Sequence, residues 1–378
     1  MTVDAWGFDV ERQATARRLR SLRIRLSAIR SAVAAALTLT LVFGGAGALR
    51  DWVLSLHVPS WAAKVTFLAA LFAFVTAIDL PFRYVAGYRW DRAFGLSSQP
   101  FAGWLKDLAK SLGLGLGATV AVGYVLLWLL AIWPTWWWLA AWMMSLVVSI
   151  VLAFLAPIVL VPLFYRFRPL GDPDLRARFE SLAAQAKVPI VGVFELRASE
   201  KTRRSNAAVM GLGRTRRVVV TDTLLRDFRP EEVETVLAHE LAHQKFLDPL
   251  RGFVLGSLTS LVILTVAAGI YGILYSSFGI RSIGDMAGLP LLAAVLGLVS
   301  LPLRPLELRW SRAREARADR FSLELTRDPA NFATAMAKLH DQNLGVADPK
   351  PWEKWLFYSH PPGRERVELA RSIRAPPA

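Results

Sequence analysis

Residues 111–165 read SLGLGLGATVAVGYVLLWLLAIWPTWWWLAAWMMSLVVSIVLAFLAPIVLVPLFY, 55 consecutive positions without an Asp, Glu, Lys or Arg. A bilayer core about 30 Å thick takes roughly 20 apolar residues per helix. This run is therefore long enough to cross twice, with a turn at Trp133-Pro134-Thr135, where proline ends a helix. Other uncharged stretches flank it. They are Ser31–Leu49, Val65–Ile78, Gly252–Ile280 and Met286–Leu303. Six spans follow, at about 31–49, 62–79, 111–132, 136–160, 252–275 and 286–304. The composition agrees, with 54% hydrophobic residues, 14 Trp and 20 Phe in 378 positions.

The polar remainder sets the orientation. The net charge is +15. The Arg residues cluster beside spans, so the positive-inside rule accounts for them without a nucleic-acid partner. Arg12, Arg17, Arg18, Arg20, Arg23, Arg25 and Arg30 precede the first span and place the N-terminus in the cytoplasm. Alternation puts residues 80–110, 166–251 and the segment from about 305 to 378 on the same side, and an even number of spans leaves both termini there. The basic N-terminus is too long for a removable signal peptide, and no small-residue cleavage site follows. Residues 1–30 read as a basic interfacial helix, with Leu19, Leu22 and Leu26 at helical spacing. The chain thus divides into 1–30, four spans in 31–165, a polar insert 166–251, two spans in 252–304, and a charged segment 305–378. It has no Cys, so disulfides and thiolate metal sites are excluded. No internal repeat or low-complexity segment is present.

Within the insert, Asp172-Pro173-Asp174 opens a helix running to about Ala186. Strands are expected at Val188–Leu196, Ala207–Leu212 and Arg217–Thr221, the last two joined by a turn around Gly213-Arg214. Pro230, Glu231 and Glu232 form a helix start. On that helix lies His239-Glu240-Leu241-Ala242-His243. Positions i and i+4 share a helix face, so both imidazoles can reach one metal ion, and Glu240 can face an attacking water as general base. The bland alternative is a surface helix with two His and a Glu. The chain has only five histidines, and its helix start fits the chemistry better. A catalytic zinc needs a third protein ligand. The extended H-E-x-x-H-x-x-G-x-x-H pattern would place a His where Pro249 stands, so the ligand comes from elsewhere. Glu315 is the candidate, with Asp319 four residues on as a hydrogen-bond acceptor for a ligating His. A solvated helix with alternating charge explains that spacing equally well. The segment Tyr358–Arg366 offers His360 and Arg366 as donors to a developing oxyanion, though a His before two prolines is more often a plain loop residue. His57 and His340 have no partner pattern and read as structural or surface residues.

Together these pieces resemble the gluzincin membrane peptidases that include the type I CAAX prenyl protease and the bacterial heat-shock membrane protease. The shared pieces occur in that family's order. They are Pro157…Val161-Pro162-Leu163-Phe164…Phe167-Arg168-Pro169-Leu170, Ser205-Asn206-Ala207, Asp222-Thr223-Leu224-Leu225, the pentad, Glu315-x-x-Ala318-Asp319, and Ser359-His360-Pro361-Pro362…Glu365-Arg366. Phe94-Gly95…Gln99…Trp104…Lys106-Asp107 resembles the prenyl protease branch. The likeness covers roughly residues 60–370. It implies a mainly α integral membrane protein of about six transmembrane helices, with a zincin-like helical and small-sheet metallopeptidase domain on the cytoplasmic side. It further implies one Zn2+ per chain on His239, His243 and Glu315, Glu240 as base, Asp319 behind a ligand, and His360 and Arg366 at the oxyanion. Asn206 and Ala207 would bind the substrate backbone, as when an extended peptide adds a strand to a sheet edge. Eukaryotic prenyl proteases of this type have seven spans enclosing a water-filled chamber. Here the first span is missing, replaced by residues 1–30.

The expected function is a membrane zinc endopeptidase acting on peptides or membrane-protein segments. The Arg- and Ala-rich composition suggests a bacterial inner membrane, where protein prenylation is generally absent. Quality-control proteolysis is the rival enzyme reading. A non-catalytic scaffold or transporter is the rival from another class. The intact Glu240, and the scarcity of charge inside the spans, argue against it.

Overall fold

The computed structural model describes residues 2–211 and 213–373. Met1, the expected strand end Leu212 and the final residues 374–378 of the C-terminal segment lie outside them.

Among the described residues, six helices are long and apolar enough to cross a membrane: Val10–Ser55, Ser60–Ala93, Phe101–Ile132, Trp137–Phe164, Asp248–Phe278 and Met286–Thr326. The Trp137–Phe164 helix turns Met143, Val147, Ile150 and Phe154 outward, an apolar surface that a bilayer covers. The expected interfacial helix at 1–30 is corrected. A single helix, α1 (Val10–Thr40), runs from a cap at Asp9 into the first span. The sequence has no Pro or Gly between Val10 and Phe43, so nothing stops it. One face of its N-terminal half docks on protein. Ala16 and Leu19 are buried in one cluster with Leu96, Leu344 and Val346. Asp341 accepts hydrogen bonds from the Asp9 backbone N–H and the Gln13 side chain, each 2.8 Å. The first span bends at Gly44, whose φ of 130° suits glycine.

The peptidase domain contains a four-stranded sheet in the order β1-β2-β4-β3. The strands are β1 (Phe167–Pro169), β2 (Val193–Leu196), β3 (Ala207–Met210) and β4 (Arg217–Thr221). β2 and β4 are parallel, and the outer strands are antiparallel to their neighbours. The expected strand 188–196 is halved. Lys187 is left-handed, Pro189 has no N–H to donate, and Gly192 takes φ 152°. β3 is an edge strand, paired with β4 alone among the described residues.

The pentad lies on α2 (Pro230–Lys245). Glu232 closes its first turn by accepting from the Arg229 N–H at 2.9 Å, and Lys338 pairs with the same carboxylate at 2.7 Å. That buried carboxyl sits below its usual range, since Lys338 and the backbone donor outweigh its desolvation. Val233, Leu237 and Leu241 bury α2 in the main core with Val218 and Val220 of β4. Leu247, at φ 55°, breaks the chain from α2 into the next span, α3 (Asp248–Leu274). The last span continues without a loop into α4 (Arg304–Thr326), so Glu315 and Asp319 extend from the same rod. Helices α5 (Pro329–Asn343), α6 (Pro351–Phe357) and α7 (Gly363–Ser372) complete the domain.

Candidate metal centre and active site

α2 and α4 pack together and bring three ligand-type groups to one point. His239 Nε2 lies 3.1 Å from Glu315 Oε2 and 3.3 Å from His243 Nε2, and His243 Nε2 lies 3.5 Å from Glu315 Oε1. Tetrahedral ligands at 2.0–2.1 Å from a common centre are separated by about 3.3 Å. The observed spacings bracket that value.

The opposite edge of each imidazole is fixed. His239 Nδ1 is 2.8 Å from Asp319 Oδ1, and His243 Nδ1 is 2.9 Å from Asp248 Oδ2. A proton on each Nδ1 satisfies those carboxylates and leaves both Nε2 lone pairs pointing inward. Two lone pairs and a carboxylate then converge with no donor among them. Such a set calls for a cation, and a metal ion fits it. Without one, a proton is the substitute. Burial pushes the His239 imidazole down, yet Asp319 and Glu315 outweigh it and raise the group to about 9. Metal and proton therefore compete for one place.

The carboxylates are themselves held. Arg366, 9% exposed, forks onto Asp319, 1% exposed, with Nε to Oδ2 at 2.9 Å and Nη2 to Oδ1 at 2.5 Å. Behind the second histidine, Arg317 donates a single hydrogen bond, from Nη2 to Asp248 Oδ1. Asp248 and Arg317 were not among the expected site residues. Asp248 follows His243 by five positions across the Leu247 break, so helical spacing gives no hint of it. Arg366 commits two nitrogens to Asp319, and its Nη2 is 3.4 Å from His239 Nδ1. Its main contacts are thus behind a histidine.

A cavity of about 420 Å³ opens on this centre. Glu240 lines it, half-buried. Burial pushes its carboxyl above the usual range, and Glu315 adds to that, while the two imidazoles pull it back. His360 stands at the rim, with Nε2 3.3 Å from Glu315 Oε2 and its side chain 59% exposed. Asn206 and Ala207 reach the same cavity from the start of the edge strand. Asn343 brackets the preceding residue, accepting from the Ser205 N–H and donating to its carbonyl, both at 3.2 Å. No local sequence signal marks Asn343 for this role. His340 also lines the cavity, buried, with Nδ1 3.0 Å from the Met336 carbonyl. Burial pushes it down to about 4. Its ring sits where a Cβ on Gly363 would come within 2.7 Å. His57 lies on the surface, in left-handed backbone, away from the cavity.

Residues 169–374 match the profile of peptidase family M48, and residues 8–166 match the CAAX prenyl protease N-terminal domain, described as five membrane helices. Four of the six membrane-length helices fall in that second stretch. A Bacillus subtilis protein named uncharacterized metalloprotease YhfN is 28% identical over 334 residues, covering 87% of this chain and 78% of its own. The CAAX prenyl protease 1 of Saccharomyces cerevisiae is 28% identical over 327 residues, covering 81% and 71%. The crystal structure of S. mikatae Ste24p superimposes with a TM-score of 0.84 at 23% identity, over 96% of this chain and 89% of that one. At that identity the likeness shows a shared fold.

Proposed function

The chain belongs to peptidase family M48 and is a membrane metalloprotease of the CAAX prenyl protease type, and from that premise we propose that His239, His243 and Glu315 hold one zinc ion per chain beside Glu240 as general base. The observation that carries this is the convergence of two imidazole lone pairs and a carboxylate, each imidazole fixed from behind by its own carboxylate. Nitrogen and carboxylate donors in this number favour zinc. When bound, zinc supplies Lewis acidity toward a carbonyl and acidifies water.

The chain's own groups do the rest. Glu240 accepts the proton of the attacking water and returns it to the leaving amine. Its raised pKa makes it a stronger base than an exposed carboxylate. His360, exposed at the rim, is placed to donate to the carbonyl oxygen as charge builds. Arg366, expected at the oxyanion, acts by its contacts as a positioning residue, holding His239 through Asp319. A peptide in extended form adds a strand beside Ala207, and Asn206 holds its backbone. The Arg-rich flanks support a cytoplasmic side for this site and both termini, and the Arg- and Ala-rich composition supports a bacterial inner membrane. Substrates are peptides or membrane-protein segments, with a prenylated C-terminal peptide as the first class to try.

The test is metal analysis and peptide cleavage by detergent-purified protein, before and after a chelator. A farnesylated CAAX peptide and its unprenylated twin are compared. About one zinc per chain, with cleavage lost on chelation and restored by zinc, is expected. Cleavage that survives full metal removal refutes the reading. A preference for the farnesylated peptide separates prenyl processing from general proteolysis.

A further inference from the structure

The cavity beside Glu240 has a cation that the proposed mechanism does not use. Arg20 reaches its wall from α1. Its Nε and Nη2 are shut off from solvent and have no hydrogen-bond partner among the described residues. The guanidinium carbon lies over two aromatic rings, with Cζ 4.9 Å from the Phe357 ring centre and 5.4 Å from that of Tyr358. Such ring contacts supply no oxygen acceptor to its N–H donors. Arg23 and Arg204 pair with Asp91 at 2.7 and 3.0 Å, and Arg366 pairs with Asp319. Arg20 makes no ion pair among the described residues.

Its position points to what would supply one. Phe357 and Tyr358 run directly into Ser359 and His360. Two Cα steps separate Tyr358 from His360, at most about 7.6 Å. An extended peptide advances about 3.3 Å per residue. A peptide crossing the cavity therefore passes from the reacting bond to Arg20 within a few residues.

We propose that Arg20 is a carboxylate-recognition residue for the bound peptide. Its guanidinium takes an acidic group, either a free C-terminal carboxylate or an Asp or Glu side chain, a few residues from the bond that is cut. A planar fork matches a carboxylate, and a site built around an unpartnered donor set discriminates strongly against a neutral substitute. This rests on the cavity being the peptide site, and the experiment separates the two.

Binding is measured on full-length Glu240→Gln protein in detergent, which retains the cavity without cleaving. Three fluorescent peptides of one sequence are used: a free C-terminal acid, its C-terminal amide, and the amide with Glu at the last position. One acidic peptide binds about tenfold tighter than the plain amide, or more. Which of the two gains identifies the carboxylate. Adding Arg20→Ala brings the ratio to about one, and Arg20→Lys, which keeps the charge but loses the fork, retains part of it. If Arg20→Ala does not fold, Arg20→Lys carries the comparison, and an undiminished ratio there overturns the proposal. Equal binding of all three peptides overturns it too, while leaving the peptide site intact. If none binds, the peptide-site reading fails and this inference falls with it.

Discussion

Replacing Arg366 with alanine strands Asp319, which is 1% exposed, beneath His239. Two charge-assisted hydrogen bonds are lost, at 2.9 and 2.5 Å. Each is worth about 1.5–3 kcal/mol, and removing one partner of a buried pair costs about 3–5 kcal/mol. Asp319 keeps its 2.8 Å contact with His239, so the lower end, about 3 kcal/mol, is the expected loss. Denaturant unfolding of wild type and variant in matched detergent micelles measures it. The paired variant Asp319→Leu/Arg366→Met removes both charges and fills their space, and should recover stability to within about 1 kcal/mol. Its metal affinity should not recover. His239 Nδ1 has lost the acceptor that fixes its tautomer, and such outer partners contribute ten- to a hundredfold in affinity. A loss below about 1 kcal/mol in Arg366→Ala would refute the buried-pair reasoning. Normal metal affinity in the paired variant would refute the claim that Asp319 orients His239.

The other histidine gives a parallel case. Asp248→Ala removes the acceptor at His243 Nδ1, and competition with a chelator should show about a ten- to hundredfold loss of metal affinity, with Asp248→Asn intermediate. Stability should also depend on His340. Burial holds its imidazole at about 4 in the folded chain, below the ordinary histidine value of about 6.5, so the unfolded chain binds the extra proton. Between those values stability falls as pH falls, by about 3 kcal/mol in full, and levels off below about pH 4. His340→Phe should flatten that acid slope in unfolding curves taken from pH 7 to 4; an unchanged slope would count against a neutral buried imidazole. Gly363→Ala would drive a Cβ to within 2.7 Å of the His340 ring. Overpacking of this kind costs about 1–3 kcal/mol, read as a lowered unfolding midpoint.

What the sequence disclosed and what it withheld divide along the range of the interactions. The spans were legible because crossing a bilayer is a matter of uncharged length. The helix under His239 and His243 was legible because Pro230 and Glu232 mark its start locally. Glu315 and Asp319 were legible as a pair because a helix puts residues four apart on one face. β1 was not, because three residues acquire strand form only by pairing with Leu196, Glu195 and Phe194. The docking of α1 was missed for the same reason. Its partners Leu344, Val346 and Asp341 lie more than 300 residues away. A stripe of Leu on a basic helix reads the same whether membrane or protein covers it. Arg366 was legible as part of a motif, yet its fork onto Asp319, 47 residues earlier, was not. His340 looked idle because the two glycines that make room for its ring, Gly345 and Gly363, are marked by nothing nearby.

The most direct test of the central claim is to substitute Glu240 alone. Wild type and Glu240→Gln are purified side by side and assayed for metal content and peptide cleavage. Glu240 lines the cavity but is not one of the three converging groups. The variant should therefore carry the same metal as wild type, about one ion per chain, and lose cleavage by two orders of magnitude or more. Wild-type cleavage by a metal-loaded Glu240→Gln protein would contradict the account.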